Sequence, residues 1–563
     1  MLRGLLYKVF ALTASREVKA LERDSLDPRS AQLSLLLDII KRNADTEYGR
    51  QHGFAAITSI EEFQKAVPIN DYDSLQPYIH AAAEGRQNVL TAENPFMFAT
   101  TSGTTGSRKL IPITRAYVKE FRRASIVSGF NLLRHYPSLA KGVSLSVFSP
   151  AEEDQTSAGI PCGAISGRLY LEEPKFIKKY VSPIPYEVFL IQDYESRYYT
   201  LLRLALILPI TSIYTLNPST IMILGRRLTT YACALIKDIE EGTLNPPKPL
   251  PEKIEKAVRA FLKPQPQRAA VLRSLWDRGE FLPYKVWSNL SLISCWTKAA
   301  AAFYLQDFPH YFGDLPVCDI TYGASEGRGT VCLSPTEQML SIRSHFFEFV
   351  LAEEMTKSSP RVYVADELEI GQSYFILFTT SGGLYRYNLN DIVKVVGFHN
   401  RTPLLEFMHK GGNISSFTGE KITESQVTNA VAQAARDSGL RVNFFTVVPE
   451  FRPEPHYQLW IELTKLTAES QIGAASDKFV SAHEAEQLAV EVDLQLGLHN
   501  IEYAAKRQSH RLAPLTVRLL RPGIYEELRK QMVAGGVPDA QIKISHLQPK
   551  DSIKQSIESL LKV

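Results

Sequence analysis

Residues 98–114 read FATTSGTTGSRKLIPIT. Between an apolar lead-in and a Leu-Ile-Pro exit, this stretch is almost wholly Thr, Ser, Gly, Arg and Lys. It has two readings. One is a plain turn or linker, which Ser, Thr and Gly commonly build. The other is an anion cradle, in which glycines let backbone N–H groups close round a phosphate, hydroxyls add donors and a lysine adds charge. The flanks favour the cradle: NPFMFA reads as a strand end and RAYVKEFRRASIVSGFNLLRHY has helical periodicity, which predicts a loop at a strand-to-helix transition. The pattern is not the P-loop G-x-x-x-x-G-K-[ST], because Gly103 and Gly106 stand too close together and Lys109 follows Arg108.

Three further segments carry groups that suit the same ligand. In TYGASEGRG, directly after a strand pattern, Tyr322 offers an aromatic face, Ser325 a hydroxyl and Glu326 a carboxylate. An aromatic can stack on a purine, and a carboxylate can hold Mg²⁺ beside phosphates. In GLYRYNLNDIV, Asp391 falls at a strand turn, where a carboxylate can accept both ribose hydroxyls. LQPKDS puts Lys550 near the C-terminus. Each has an ordinary alternative, as a core aromatic, a solvated carboxylate, a turn residue or a surface cation.

Positioning these groups calls for strands that end at them and helices that back them. SAQLSLLLDIIKRNA has apolar i, i+3, i+4 spacing, and MLRGLLYKVFALTAS runs on into REVKALERD as one helical pattern, which predicts a folded helix rather than a cleaved leader. VSLSVFSP, NLSLISCW, VCDITYG and YFILFTT are short strand patterns separated by helical stretches. Residues 204–225 are uncharged for long enough to span a bilayer, but Pro209, Asn217 and Pro218 interrupt them, which predicts a buried strand and helix and no stable membrane insertion. The Pro-rich tract 242–253 reads as a surface loop within one continuing sheet. A boundary is expected at FMHKGGNISSFTGEK, 407–421, acting as a hinge between a large domain, 1–406, and a small one, 422–563, whose FFTVVPE and HYQLWIELT alternate as strands. The expected class is therefore α/β: a large N-terminal domain of mixed sheets flanked by helices, plus a small C-terminal α+β domain.

Composition narrows the partners. A chain of 563 residues exceeds a single small core, and 63 Lys and Arg against 60 Asp and Glu leave a net charge of +3 without a basic block. That argues against nucleic acid and for small substrates. The five cysteines form no C-x-x-C pair, which suits a reducing cytoplasm and speaks against zinc.

Taken together, TSGTTGSRK and YGASE resemble the first phosphate-loop motif and the Y-G-x-[ST]-E motif of the adenylate-forming superfamily of acyl-CoA ligases, luciferases and peptide-synthetase adenylation domains. The chain is closer still to one branch, the Gretchen Hagen family of auxin-responsive acyl acid amido synthetases in its bacterial form. That likeness runs through NADTEYGRQHGF, VPINDYDSLQPYI, IQDYESRYYTLLRLAL, SCWT, FFEFV, YRYNLND and HKGGNISSFTGEKITESQV. The resemblance implies an adenylate-forming enzyme fold and a reaction that uses ATP and Mg²⁺ to join a small carboxylic acid to an amine such as an amino acid. It implies that Ser102, Gly103, Thr104, Thr105 and Lys109 cradle the phosphates. Tyr322 would lie on adenine, Ser325 touch the α-phosphate, Glu326 hold Mg²⁺, and Asp391 bind ribose with Lys410 in the same nucleotide site. Lys550 would swing over the reacting centre.

Two positions depart from the family's pattern. Asn390 stands where Gly commonly precedes the ribose-binding aspartate, and Asn tolerates left-handed geometry better than most residues. Lys298 and alanines follow SCWT where glycines are usual. Two other functions stay open at this level: an acyl-CoA ligase with the same adenylation step, and a non-catalytic member that binds nucleotide or acyl ligand.

Overall fold

The computed structural model of the chain describes residues 2–101, 109–298, 304–305, 308–355, 357, 359–411, 414–415, 420, 422–450, 454–465, 480–508, 512–535, 542, 544–548 and 552–561. Its larger, N-terminal part is organised by three sheets. The first has the order Lys109–Ile113, Met97–Thr101, Pro161–Gly163, Asp154–Gln155. The second is parallel, in the order Val143–Ser146, Ile210–Tyr214, Leu292–Cys295, Val317–Asp319, with helices in the crossovers. The third is a seven-stranded antiparallel sheet that runs from Thr330–Ser334 to Val362–Tyr363, with Tyr387–His399 at its centre between Ser373–Thr379 and Thr402–Lys410.

Each strand of the parallel sheet divides its residues by parity, because successive side chains point to opposite faces. Leu145, Ile213, Ile293 and Cys295 are fully buried in a core of helices. Ser144, Ser146, Ser212 and Ser294 line a cavity on the other face. A second core packs the N-terminal helices, through Leu36, Ile39 and Phe63, onto Phe346 and Phe378 of the antiparallel sheet.

Most expected elements are present. Residues 204–225 divide into the end of helix Tyr194–Ala205, strand Ile210–Tyr214 and helix Pro218–Thr230, which starts at Pro218 because Asn217 caps it, accepting from Ser219 N–H at 2.9 Å. The Pro-rich tract is a loop between helices Ala232–Glu241 and Glu252–Val258. One expectation is corrected. The Ser/Thr/Gly loop does not lead from a strand into a helix, because Lys109–Ile113 forms a strand antiparallel to Met97–Thr101, paired from Thr101↔Lys109 to Met97↔Ile113. The loop joins two strands, and the helix begins only at Arg115, behind the Thr114 cap. The apolar Leu-Ile-Pro-Ile run, which looks like a lead into the helix, is used up in sheet pairing.

The C-terminal part is a three-stranded sheet, Leu440–Glu450, His456–Lys465 and Thr516–Leu519, with helices Glu424–Ser438 and Ala482–His499 packed against each other. It rests on helix Pro218–Thr230 through polar contacts. Arg529, 1% exposed, donates to Ser219 Oγ at 2.8 Å, Arg227 pairs with Glu526 at 3.2 Å, and Asn217 Nδ2 donates to the Ile542 carbonyl at 2.6 Å. Residues 407–410 of the segment expected to be a hinge are the last four of strand Thr402–Lys410, held in register by Tyr387–His399.

One buried ion pair sets the course of that central strand. Arg386, 4% exposed and at φ +47°, sends Nε to both Glu348 oxygens at 3.0 and 3.1 Å, and Nη1 to the carbonyls of Gln64 and Val67 at 2.9 and 2.6 Å. Gln64 Nε2 completes the arrangement by donating to Glu348 Oε1 at 3.0 Å. Removing one partner of such a pair leaves an uncompensated charge in the core. Glu348→Ala should therefore cost about 3–5 kcal/mol of stability, read from urea unfolding by tryptophan fluorescence. A loss below about 1 kcal/mol, the range of exposed pairs, would show that solvent reaches Arg386 freely.

Candidate active site

A cavity of about 1470 Å³ opens beyond the C-terminal ends of the parallel strands. Its other walls are helix Arg115–His135, the hairpin 323–328, the strands that carry Asp391 and Lys410, and Ile542, Ile544 and His546 of the C-terminal part. The carboxyl ends of parallel strands are where open α/β sheets hold ligands. The volume exceeds the roughly 300–1,000 Å³ of an ordinary small-molecule site, so more than one ligand has room.

Asp391 is the best-anchored group in this space. Sheet register sets it opposite Lys410, whose Nζ lies 2.7 Å from Asp391 Oδ1 and also donates to the Leu389 carbonyl at 3.2 Å. The Tyr322 hydroxyl donates to Asp391 Oδ2 at 2.8 Å. Each carboxylate oxygen keeps a further acceptor direction for a ligand hydroxyl. Burial disfavours the Lys410 charge, but the neighbouring Asp391 carboxylate outweighs it and raises the lysine above its usual range. Burial, and then Asp391, push the Tyr322 phenol well above its own, which keeps it a donor.

Two backbone features hold this cluster. Asn390 has φ +62°, the left-handed conformation its side chain tolerates, and its N–H donates to Asn388 Oδ1 at 2.8 Å. Thr321, just before Tyr322, has φ +78°, an outlier for a β-branched residue and of the kind that gathers at functional sites. Arg328 Nη1 donates to its Oγ1 at 2.9 Å. Phe407 covers one face of Tyr322, stacked at 5.5 Å and 8°.

Ser325 and Glu326 line the same cavity, at the turn of the hairpin. The Tyr117 hydroxyl donates to the Ser325 carbonyl at 2.7 Å, fixing the turn from the helix behind it. Glu326 is half-buried. Burial raises its pKa, the nearby Lys410 and Lys109 oppose the shift, and Asp391 adds to it. Lys109 opens its strand with Nζ 5.0 Å from the Tyr72 ring centre, and Tyr72 Oη accepts from Leu110 N–H at 2.9 Å. Lys298 lines the cavity and is held by Glu406 at 2.6 Å.

The structure thus brings together Lys109, Tyr322, Ser325, Glu326, Asp391 and Lys410. Ser102, Gly103, Thr104, Thr105 and Lys550 lie outside the described residues. Sequence reasoning passed over Tyr117 and Arg328. Arg328 stands two residues after Glu326 in the quoted motif, on the short strand Gly327–Arg328 that leaves the hairpin turn. Nothing local marks Tyr117.

Comparison with known proteins covers nearly the whole chain. The GH3 family N-terminal domain matches residues 17–317, the GH3 family central domain 338–410 and the GH3 family C-terminal domain 425–552. The chain is 26% identical to the indole-3-acetic acid-amido synthetase GH3.3 of Arabidopsis thaliana, over 97% of this chain and 94% of that protein. It is 27% identical to the jasmonoyl-L-amino acid synthetase JAR4 of Nicotiana attenuata, over 92% and 90%. Among solved structures, AtGH3.15 acyl acid amido synthetase in complex with 2,4-DB superposes with a TM-score of 0.83 at 22% identity, over 98% of this chain and 96% of that one.

The electrostatics of Glu326 give a sign that can be checked. With divalent cations chelated, the folded protein keeps the Glu326 proton at a pH where the unfolded chain, with its ordinary value of 4.5, has released it. Stability therefore falls as pH rises from that value through the raised folded one. Glu326→Gln escapes the loss, so its melting temperature should exceed the wild type's at neutral pH, with the gap closing below pH 4.5. A gap that ignores pH would mean the carboxyl is fully solvated.

Proposed function

The chain belongs to the GH3 family, and from that premise we propose that it is an ATP-dependent acyl acid amido synthetase: it converts a small carboxylic acid to an acyl adenylate with release of pyrophosphate, then transfers the acyl group to an amine such as an amino acid. The observation that carries this reading is the convergence, on one cavity at the strand ends, of the Asp391–Tyr322–Lys410 cluster, Glu326 and Lys109.

In this reading Asp391 binds the ribose hydroxyls, with Lys410 holding its carboxylate in place and facing the nucleotide. Tyr322 packs on adenine, and Ser325 contacts the α-phosphate. Ser102, Gly103, Thr104 and Thr105 cradle the phosphates together with Lys109. Among the described residues no cluster of three His, Cys, Asp or Glu forms a metal cage. A lone carboxylate, Glu326, suits Mg²⁺, which keeps waters and takes one or two carboxylates plus substrate phosphates. Bound there, the ion would neutralise phosphate charge.

The chemistry needs no protein nucleophile. A carboxylate oxygen of the acid attacks the α-phosphorus as its bond to pyrophosphate breaks. The amine nitrogen then attacks the acyl carbon, AMP leaves, and the amine gives up a proton. The protein's part is orientation and charge stabilisation. We place the hinge between the two domains at 407–421, with 1–406 and 422–563 on either side, and let it carry Lys550 over the α-phosphate for the first step. Among the described residues no helix is long and apolar enough to cross a membrane, and the five cysteines form no disulfide, which suits the reducing cytoplasm we propose.

With a panel of carboxylic acids, ATP and Mg²⁺, one acid should drive formation of AMP and pyrophosphate. ADP and phosphate instead would sink adenylation. AMP release should accelerate with an amino acid and not with CoA, and the reverse would make the enzyme a CoA ligase. Lys550→Ala should slow the first step on the order of ten- to a thousandfold, as loss of a transition-state charge partner does. It should spare amide formation from a supplied acyl adenylate, and an equal loss in both steps would make Lys550 structural.

A further inference from the structure

Five Lys and Arg side chains line the cavity: Lys109, Arg122, Lys298, Arg328 and Lys410. Three are held by carboxylates, Arg122 by Glu172 at 3.2 Å, Lys298 by Glu406 at 2.6 Å and Lys410 by Asp391 at 2.7 Å. Lys109 and Arg328 have no carboxylate partner among the described residues. Lys109 stands at the base of the Ser/Thr/Gly loop, on the wall given above to the triphosphate. Arg328 lies on the hairpin that also carries Ser325 and Glu326, with its side chain against helix Arg115–His135.

Its guanidinium lies over the Phe121 ring, 4.6 Å from the centre, and Nη1 donates to Thr321 Oγ1 at 2.9 Å and weakly to the Ile320 carbonyl at 3.4 Å. Nε is buried without a hydrogen-bond partner among the described residues, which is costly for a charged group. Room for the side chain comes from Gly323, directly across the hairpin: a Cβ there would fall 3.2 Å from Arg328 Cδ. Beside Arg328, the helix that carries Phe121 presents Ser125 and Leu132 to the cavity, and the serine face of the parallel sheet lies beyond. The Phe121, Ser125 and Leu132 side of Arg328 offers a triphosphate nothing. It suits the body of an organic acid.

Building on the adenylation reading, we propose that Arg328 is the anchor for the carboxylate of the acid substrate. The acid must bring a negative oxygen up to a negative phosphate, and a guanidinium two residues from Glu326 offsets that repulsion while a bidentate grip aims the oxygen. The grip is released by the reaction itself, because the carboxylate charge is gone once the mixed anhydride forms. Arg328 therefore serves capture and activation of the acid and has little to hold in amide formation.

The test uses acetate, benzoate and indole-3-acetate as probe acids with ATP, Mg²⁺ and hydroxylamine, following pyrophosphate; the acid that turns over best is carried forward. Arg328→Gln should raise KM for that acid on the order of 10- to 100-fold, the worth of a hydrogen-bonded charge, with KM for ATP unchanged, and Arg328→Lys should fall between. Amide formation from the synthetic acyl adenylate of the same acid should proceed at the wild-type rate in both variants. The unchanged KM for ATP also certifies the fold, and if the Gln variant fails to fold, Arg328→Lys carries the same comparison. An unchanged KM for the acid overturns the proposal, and so does a joint rise for acid and ATP, which would make Arg328 a strut for Thr321 and Tyr322. If the wild type releases pyrophosphate with none of the acids, the adenylation reading falls first, and the anchor with it.

Discussion

A guanidinium buried against a carboxylate is worth keeping only where geometry must be fixed, because taking both charges out of water costs most of what their attraction returns. Arg386 and Glu348 are such a pair, and four segments meet at them. The carbonyls of Gln64 and Val67 accept from Arg386 Nη1, the Thr379 hydroxyl accepts from Arg386 N–H, and Asn70 is clamped between the backbone of Arg386 and Asn388 at 3.0 and 2.7 Å. The strand that leaves this knot at Tyr387 reaches Asn390 and Asp391 within five residues. The left-handed turn at Asn390, the pairing of Asp391 with Lys410 and the reach of Tyr322 to Asp391 all inherit their positions from it.

Local pattern carried much of this into the sequence. Strands such as Ser373–Thr379 and helices such as Glu424–Ser438, with its Thr423 and Gln426 capping box and Gly439 stop, declare themselves through periodicity and cap chemistry. Lys109–Ile113 did not, because a short apolar run that contains a proline and precedes a helix looks the same whether it pairs in a sheet or merely leads in. For the site, residue types and motif spacing were enough to nominate Tyr322, Glu326 and Asp391. Partnership was not legible: that Asp391 meets Lys410 follows from antiparallel register, and that Arg328 alone of the cavity arginines lacks a carboxylate, among the described residues, follows from where Glu172 falls in space. Tyr117 acts through the Ser325 carbonyl, an acceptor that every residue possesses and no sequence can flag.

The joint between the two parts has a different character from either core. Arg529, Asn217, Arg227 and Glu526 meet there through hydrogen bonds and ion pairs, Arg227 also reaches Glu195 at 2.7 Å, and one aromatic, Tyr304, packs against the apolar clusters of the C-terminal part. Groups of this kind are satisfied by water when parted, whereas apolar surfaces are not. The polar contacts therefore add little to the cost of parting the two, and the packing of Tyr304 is the apolar contact that departure would give up.

The division of the parallel sheet by parity reaches beyond architecture. Leu145, Ile213 and Ile293 owe their identity to the core, while Ser144, Ser146, Ser212 and Ser294, one position away on the same strands, face only the cavity. Stability and selectivity are thus written on alternate letters of one short text. If the acid lies beside Arg328 as proposed, the serine letters can be exchanged to suit a differently shaped or differently polar acid while the letters that hold the sheet in its helical sandwich stay unread by the substrate. A lineage that must accept new acids can explore them here one side chain at a time, with the scaffold insulated from the search.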